Sequence, residues 1–253
     1  MSAAAETPDS HSDSPLESPT DSPDSADTHY DRAKALHGLK RYDEAVGAYD
    51  HALALSPEHF EALNDRGDVL RQLARFSEAV ASYDRALAIQ ADYAEAFNNR
   101  GLALHGMSDF EAALASYDQA LRLRPDYAEA LSNRGGAFVE LRRFDEAFAS
   151  FRAAQEIAPD FADAHWNEAS LGLLTGDLTA GWTKYAWRWK RRTVASHRRD
   201  FPQPMWDGFE SLYDKTILLH GDEFFGDVIQ FCRYAPQVAA RGVVRVVART
   251  QHD

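Results

Sequence analysis

Cysteine is almost missing from this chain: Cys232 is the only one in 253 residues, which excludes a framework of internal disulfides. That scarcity fits a reducing compartment, and the cytoplasm is the expected address. No apolar run reaches the length a bilayer-spanning helix needs. Cations are also in deficit. Against 40 Asp and Glu there are 27 Lys and Arg, and the formal net charge of −13 argues against general affinity for nucleic acid. Residues 1–25, MSAAAETPDSHSDSPLESPTDSPDS, contain neither Lys nor Arg, and Leu16 is their only large aliphatic residue apart from Met1. They lack the basic start and apolar centre of a secretory signal. They cannot bury enough apolar surface to offset ordering entropy, so they read as a disordered acidic tail. Its Thr7-Pro8, Ser14-Pro15, Ser18-Pro19 and Ser22-Pro23 pairs suit phosphorylation or an unmodified linker. The rest is compatible with a folded core, since the chain is 45% hydrophobic and 26% charged.

What is there, above all, is a repeat. Units starting at Ala26, Phe60, Ala94 and Ala128 follow one another at a spacing of 34 residues. Their cores read KRYDEAVGAYDHALALSP, ARFSEAVASYDRALAIQA, SDFEAALASYDQALRLRP and RRFDEAFASFRAAQEIAP. Gly67, Gly101 and Gly135, with Ala33 in the first unit, form a small site where two helices cross. Ala45, Ala79, Ala113 and Ala147 form the matching site on the second helix, and Ala52, Ala86, Ala120 and Ala154 permit close packing near its end. Tyr42, Phe76, Phe110 and Phe144 fill the turn, while Tyr49, Tyr83, Tyr117 and Phe151 cover the seam. Pro57, Pro125 and Pro159 stop each unit, because proline cannot continue a helix; Ala91 stands in the second. Over residues 26–161 the chain resembles the tetratricopeptide repeat family, whose period this is. A fifth unit opens in register at Ala162, but Gly181, Trp182, Tyr185, Trp187 and Trp189 depart from the pattern of its second helix. It reads as a degenerate repeat that closes the stack.

The resemblance implies an α-solenoid whose first helices line a concave groove for a protein or peptide. The sixth position of each unit faces that groove in the family, which here means Asp31, Asp65, Asn99, Asn133 and Asn167. The three asparagines are similar to the asparagine ladder of protein O-GlcNAc transferases. Their side chains are expected to be exposed, able to bond a peptide backbone with little demand on its sequence. A ladder of this kind and Asn merely tolerated on a solvated face are both open at this point. The groove's scattered cations, such as Lys34 and Arg71, do not resemble a lysine-rich carboxylate clamp.

Residues 182–206, WTKYAWRWKRRTVASHRRDFPQPMW, are basic and aromatic. The helical spacing of Trp182, Tyr185 and Trp189 favours a cap on the last repeat over a single-strand binding surface. Pro202 and Pro204 then begin an extended connector. The ordered blocks GWTKYAWRW, FPQPMWDG and KTILLHGDEFFGDVIQFCRYAPQVAARG resemble bacterial proteins that join such repeats to a glycosyltransferase-like domain. That resemblance implies a strand at Thr216–His220, a helix over Asp227–Ala240 and a strand at Val243–Ala248, opening a Rossmann-like half. By similarity to heptosyltransferases, Asp227 is the candidate base. The bulky Phe224-Phe225 pair stands where the family has a small Gly-rich centre.

The expected fold class is mainly α. A solenoid of four repeats and a degenerate capping repeat is followed by a short, incomplete Rossmann-like βαβ unit. The expected divisions are an acidic tail (1–25), the solenoid (26–190), a basic, Pro-containing linker (191–214) and the truncated βαβ unit (215–253). The expected function is a protein- or peptide-binding scaffold with no cofactor, metal, nucleic acid or membrane span. The chain as it stands is read as not an enzyme. The alternative is a glycosyltransferase-like protein, truncated or completed by another chain, that uses a nucleotide sugar.

Overall fold

A computed structural model describes residues 25–191, 211, 213–220, 235–240, 242 and 245–249. Tail residues 1–24, most of the linker and the turn from Gly221 to Phe231, Asp227 included, lie outside the described residues. Ser25, read above as the end of the tail, caps the first helix: its Oγ accepts from the Thr28 amide at 3.1 Å.

Eight helices form four antiparallel pairs. They are α1 (Ala26–Gly38), α2 (Tyr42–Leu55), α3 (Phe60–Gln72), α4 (Phe76–Ile89), α5 (Ala94–Gly106), α6 (Phe110–Leu123), α7 (Ala128–Glu140) and α8 (Phe144–Ile157). Each pair is locked by the residues expected from the register. Tyr49, Tyr83 and Tyr117 are fully buried and Phe151 nearly so; Ala45, Ala79, Ala113 and Ala147 are equally inaccessible. A Cβ placed on Gly67 would lie 2.5 Å from the Tyr83 ring, and one on Gly101 would lie 2.5 Å from Tyr117. Glycine is therefore required there for close approach, not for backbone freedom. Burial of one such aromatic contributes about 2–3 kcal/mol.

The turn inside each pair has a feature that composition conceals. Lys40, Ala74, Ser108 and Arg142 occupy the same register position with φ near +60°, in the left-handed region, although none is glycine. The helix end is held by paired backbone bonds, as in Ala74 N–H to Arg71 O at 3.0 Å and Arg75 N–H to Leu70 O at 2.9 Å. At the start of the second helix Arg41, Arg75 and Arg143 each pair with the Glu three residues on, whereas Asp109 caps α6 directly through the Ala112 amide. α4 ends at Ile89 in the same register as its counterparts although Ala91 replaces the proline, so packing and not proline sets the stop.

Consecutive first helices (α1, α3, α5, α7) touch one another more closely than consecutive second helices do. The first helices therefore line the inner face of this stack.

The chain divides after Ile157 into two compact units. The second contains α9 (Ala162–Thr175), α10 (Leu178–Tyr185) and a 3-10 helix (Ala186–Lys190). Gly176, at φ +91°, ends α9 at the register position held by Lys40 in the first pair. Farther on, β1 (Thr216–His220) pairs in parallel with β2 (Arg245–Arg249), Thr216 opposite Arg245 and His220 opposite Arg249. Between them in sequence stands α11 (Ala235–Ala239), with Pro236 in its first turn, where a missing N–H costs no helical bond. The expected start at Asp227 lies outside the described residues, and β2 is shifted along from the expected Val243–Ala248.

Candidate functional site

The inner-face residues are not the free row that the sequence suggested. Asp31 on α1 is exposed, but Asp65, Asn99 and Asn133 are half-buried and bonded into the stack. Asp65 accepts from the Tyr30 hydroxyl at 2.8 Å and from Asn64 Nδ2 at 3.2 Å. Asn99 Nδ2 donates to Asn64 Oδ1 at 3.1 Å and to Asp68 Oδ2 at 3.4 Å. Asn133 Nδ2 donates to Asn98 Oδ1 at 2.9 Å. The sixth position of one repeat thus binds the fifth position of the repeat before it, and the exposure expected from the sequence is corrected. These donors satisfy the side-chain oxygens of Asn64 and Asn98, residues each only 4% exposed, where an unpaired acceptor would be costly. Asn167 is half-buried on α9 in the second unit.

A second group on this face was missed. Asp68 accepts from the Tyr83 hydroxyl at 2.8 Å and pairs with Arg71 at 3.4 Å. Burial pushes the Asp68 carboxyl above the usual range, opposed by the Arg71 guanidinium. Burial likewise raises the hydroxyls of Tyr30, Tyr49 and Tyr83, with Asp65 adding to the first two and Asp68 to the third. Tyr93 is pushed up to about 12, mainly by burial and then by Asp65, Glu95, Glu61 and Asp68. The Tyr49 and Tyr117 hydroxyls and Arg71 Nε are buried with no hydrogen-bond partner among the described residues. The ninth position reads Lys34, Asp68, Leu102 and Gly136 through the four repeats. With no recurring class there, periodicity gave no signal for Asp68.

A separate recurring network runs from the first helices to the second helices. Arg66 reaches Asp50 at 2.7 Å and the Ser82 hydroxyl at 2.6 Å. Arg100 reaches Asp84 and Ser116 at 2.7 Å each, and Arg134 reaches Asp118 at 3.0 Å and Ser150 at 3.3 Å. Each guanidinium therefore joins the second helices of two successive repeats, using a planar fork that lysine lacks. One register later the corresponding residues are Arg152, Glu168 and Lys184. There Lys184 pairs with the buried Glu168 carboxylate.

In the second unit the aromatic and cationic residues occupy one another. His165 stacks on Trp187 at 3.9 Å, Lys190 lies over Trp187 at 3.8 Å and Arg188 over Trp189 at 4.1 Å. Arg191 bonds Asp163 on α9. Among the described residues, no group of three or more His, Cys, Asp or Glu side chains is placed to hold a metal ion. No described helix is long and apolar enough to cross a membrane.

Comparison with known proteins gives the same architecture. Tetratricopeptide repeat models match residues 26–59 and 98–160, and a TPR repeat model matches residues 67–108. The solved structure of PilW, described as a widely conserved type IV pilus biogenesis factor, is 25% identical with a TM-score of 0.60, covering 66% of this chain and 78% of that one. TTC0263, a thermophilic TPR protein of Thermus thermophilus, is 23% identical with a TM-score of 0.57, covering 67% and 92%. YrrB, described as a TPR protein with an unusual peptide-binding site, is 22% identical with a TM-score of 0.53, covering 69% and 91%. A search of curated proteins gave no match. Paired helices at a 34-residue register, interlocked by tyrosine against glycine and matched in sequence across all four pairs, make this chain a member of the tetratricopeptide repeat family.

Proposed function

We propose that the chain is a protein-interaction scaffold that takes an extended peptide along the inner face of α1, α3, α5 and α7. The observation that carries this reading is the polar chain Asp65–Asn64–Asn99–Asn98–Asn133, which runs from repeat to repeat along that face. Such a row offers acceptors at the spacing of stacked helices, and its internal bonds hold the groups in place before a ligand arrives. YrrB, with its peptide-binding site, supports the reading by analogy of fold. The test is anisotropy of a fluorescent peptide panel on the full chain and on Asn99→Ala/Asn133→Ala. The double variant should weaken a bound peptide about tenfold or more, since each lost hydrogen bond is worth about 1 kcal/mol. A variant that binds its peptides as the parent does sinks the assignment of this face.

A second reading concerns the segment after Lys215. The parallel pairing of β1 with β2 supports the start of a Rossmann-like βαβ unit, for which Asp227 is the candidate base of a sugar transfer. The chain by itself is expected not to transfer sugar from a panel of nucleotide sugars. Turnover that disappears in Asp227→Asn would establish the enzyme instead.

A further inference from the structure

We propose that copies of this chain stack head to tail, with the outward face of α10 in one copy receiving the outward face of α1 in the next. The joint repeats a contact that the first unit already makes three times. There the second helix of one pair meets the first helix of the following pair, α2 on α3, α4 on α5 and α6 on α7. Two register positions of the second helix carry it. At the seventeenth, Phe76 fills the space over Gly106, where a Cβ would stand 2.6 Å from its ring. At the twenty-first, Val46 is buried in one cluster with Ala62 and Val69 of α3. Val80 packs against the same cluster, which also contains Ala103 of α5. Leu114, the next residue in that column, is buried too.

In α10 the same two positions are uncovered. Leu178 is the seventeenth residue of its unit and Trp182 the twenty-first, four apart on one helical face, and each is 57% exposed. The matching half is on α1. Its tenth residue, Ala35, is exposed, whereas Val69, Ala103 and Ala137 at that position are fully buried. Gly38 stands thirteenth, as Gly106 does, and a Cβ placed on it would have no atom within 4 Å. Register therefore sets Leu178 of one copy over Gly38 of the next, as Phe76 lies over Gly106. It sets Trp182 against Ala35, so a large ring meets a methyl group where α2 and α3 bring together Val46 and Val69. The internal joints add a bridge such as Arg100 to Asp84, but here Arg32 would meet Ala186 in the aspartate column. The joint between copies is thus apolar and weaker than the internal ones, and it forms as concentration rises. Its two faces differ, so the contact is heterologous and each joined pair keeps an open face at either end.

Sedimentation equilibrium of the full chain is the test. The average mass should rise with concentration and pass twice that of one chain between about 1 µM and about 500 µM. The rise should not shrink as salt is added, because no charge pair is made. Trp182→Gln removes the apolar face of α10, and Ala35→Arg places a bulky side chain on the open face of α1. Each should weaken self-association at least about tenfold. Mixed in equal amounts, the two variants retain one intact face each and should form a complex that stops at two chains. Circular dichroism checks that both keep the helix content of the parent. If either does not, Leu178→Gln and Gly38→Gln give the same comparison. A parent that stays a single chain throughout leaves the α10 face to another occupant and overturns the proposal. Self-association that survives Ala35→Arg overturns it as well, since α10 would then pair with α10 or another surface would be in use. A mixture that forms no complex, or association that fades with salt, has the same consequence.

Discussion

Adding one methyl group at Gly67 or at Gly101 is the same change at the same register position, yet the two should not cost the same. At Gly67 the new Cβ would stand 2.5, 2.7 and 2.9 Å from Tyr83 ring atoms, and at Gly101 it would meet Tyr117 at the same three distances. Ordinary carbon contacts lie near 3.5–4.0 Å, so either ring must retreat by about 1 Å. Overpacking of this kind costs about 1–3 kcal/mol, and alanine's better helix propensity returns about 1 kcal/mol. Accommodation is possible, because the first repeat already holds Ala33 opposite a fully buried Tyr49. The difference lies in the hydroxyls. Tyr117 has no partner, so its ring moves without losing a bond. Tyr83 donates to Asp68 at 2.8 Å, and a 1 Å retreat breaks that contact. A hydrogen bond to a charged group is worth about 1.5–3 kcal/mol, so Gly67→Ala should be destabilised by about that much more than Gly101→Ala. Urea unfolding followed by circular dichroism measures both, and in a Tyr83→Phe background the gap should close. Costs that agree within about 0.5 kcal/mol in the parent, or a gap that survives Tyr83→Phe, would refute the reasoning.

Three further outcomes follow from the same geometry. Ala74→Gly relieves a left-handed backbone at φ +57°, and should change stability by about 0 to +1 kcal/mol once glycine's larger unfolded-state entropy is subtracted; a clear loss of melting temperature would contradict it. Arg100→Met removes the bridge from Asp84 to Ser116 and should cost about 1 kcal/mol, with Arg100→Lys recovering only part, because one ammonium cannot reproduce the fork; full recovery in the lysine variant would show that charge alone matters. The Asp68 carboxyl titrates higher in the folded chain than in the unfolded one. Its stabilising contribution is therefore complete below the ordinary carboxylate range and is lost as pH rises through the folded value. As pH rises through and beyond the ordinary carboxylate range the parent should lose stability relative to Asp68→Asn, and a difference that stays flat or runs the other way would overturn the assignment.

The amino-acid sequence by itself determined the repeat, its register and the interlock within each helix pair. Those contacts join residues at fixed offsets inside one unit, such as Gly67 with Tyr83 and Gly101 with Tyr117, so every copy restates them. It also indicated the polar inner row, because Asn99 and Asn133 recur at one position. The tertiary structure alone decided where that row points. Asn133 meets Asn98 and Asn99 meets Asn64 only through the rotation between stacked repeats, which no single unit encodes. The same holds for the bridge from Arg100 back to Asp84 in the preceding repeat. The left-handed turns at Lys40, Ala74, Ser108 and Arg142 were invisible for another reason: local propensity argues for glycine there, and the closure of each helix pair overrides it. Asp68 stands alone in its column, so nothing marks it until folding places it beneath Tyr83.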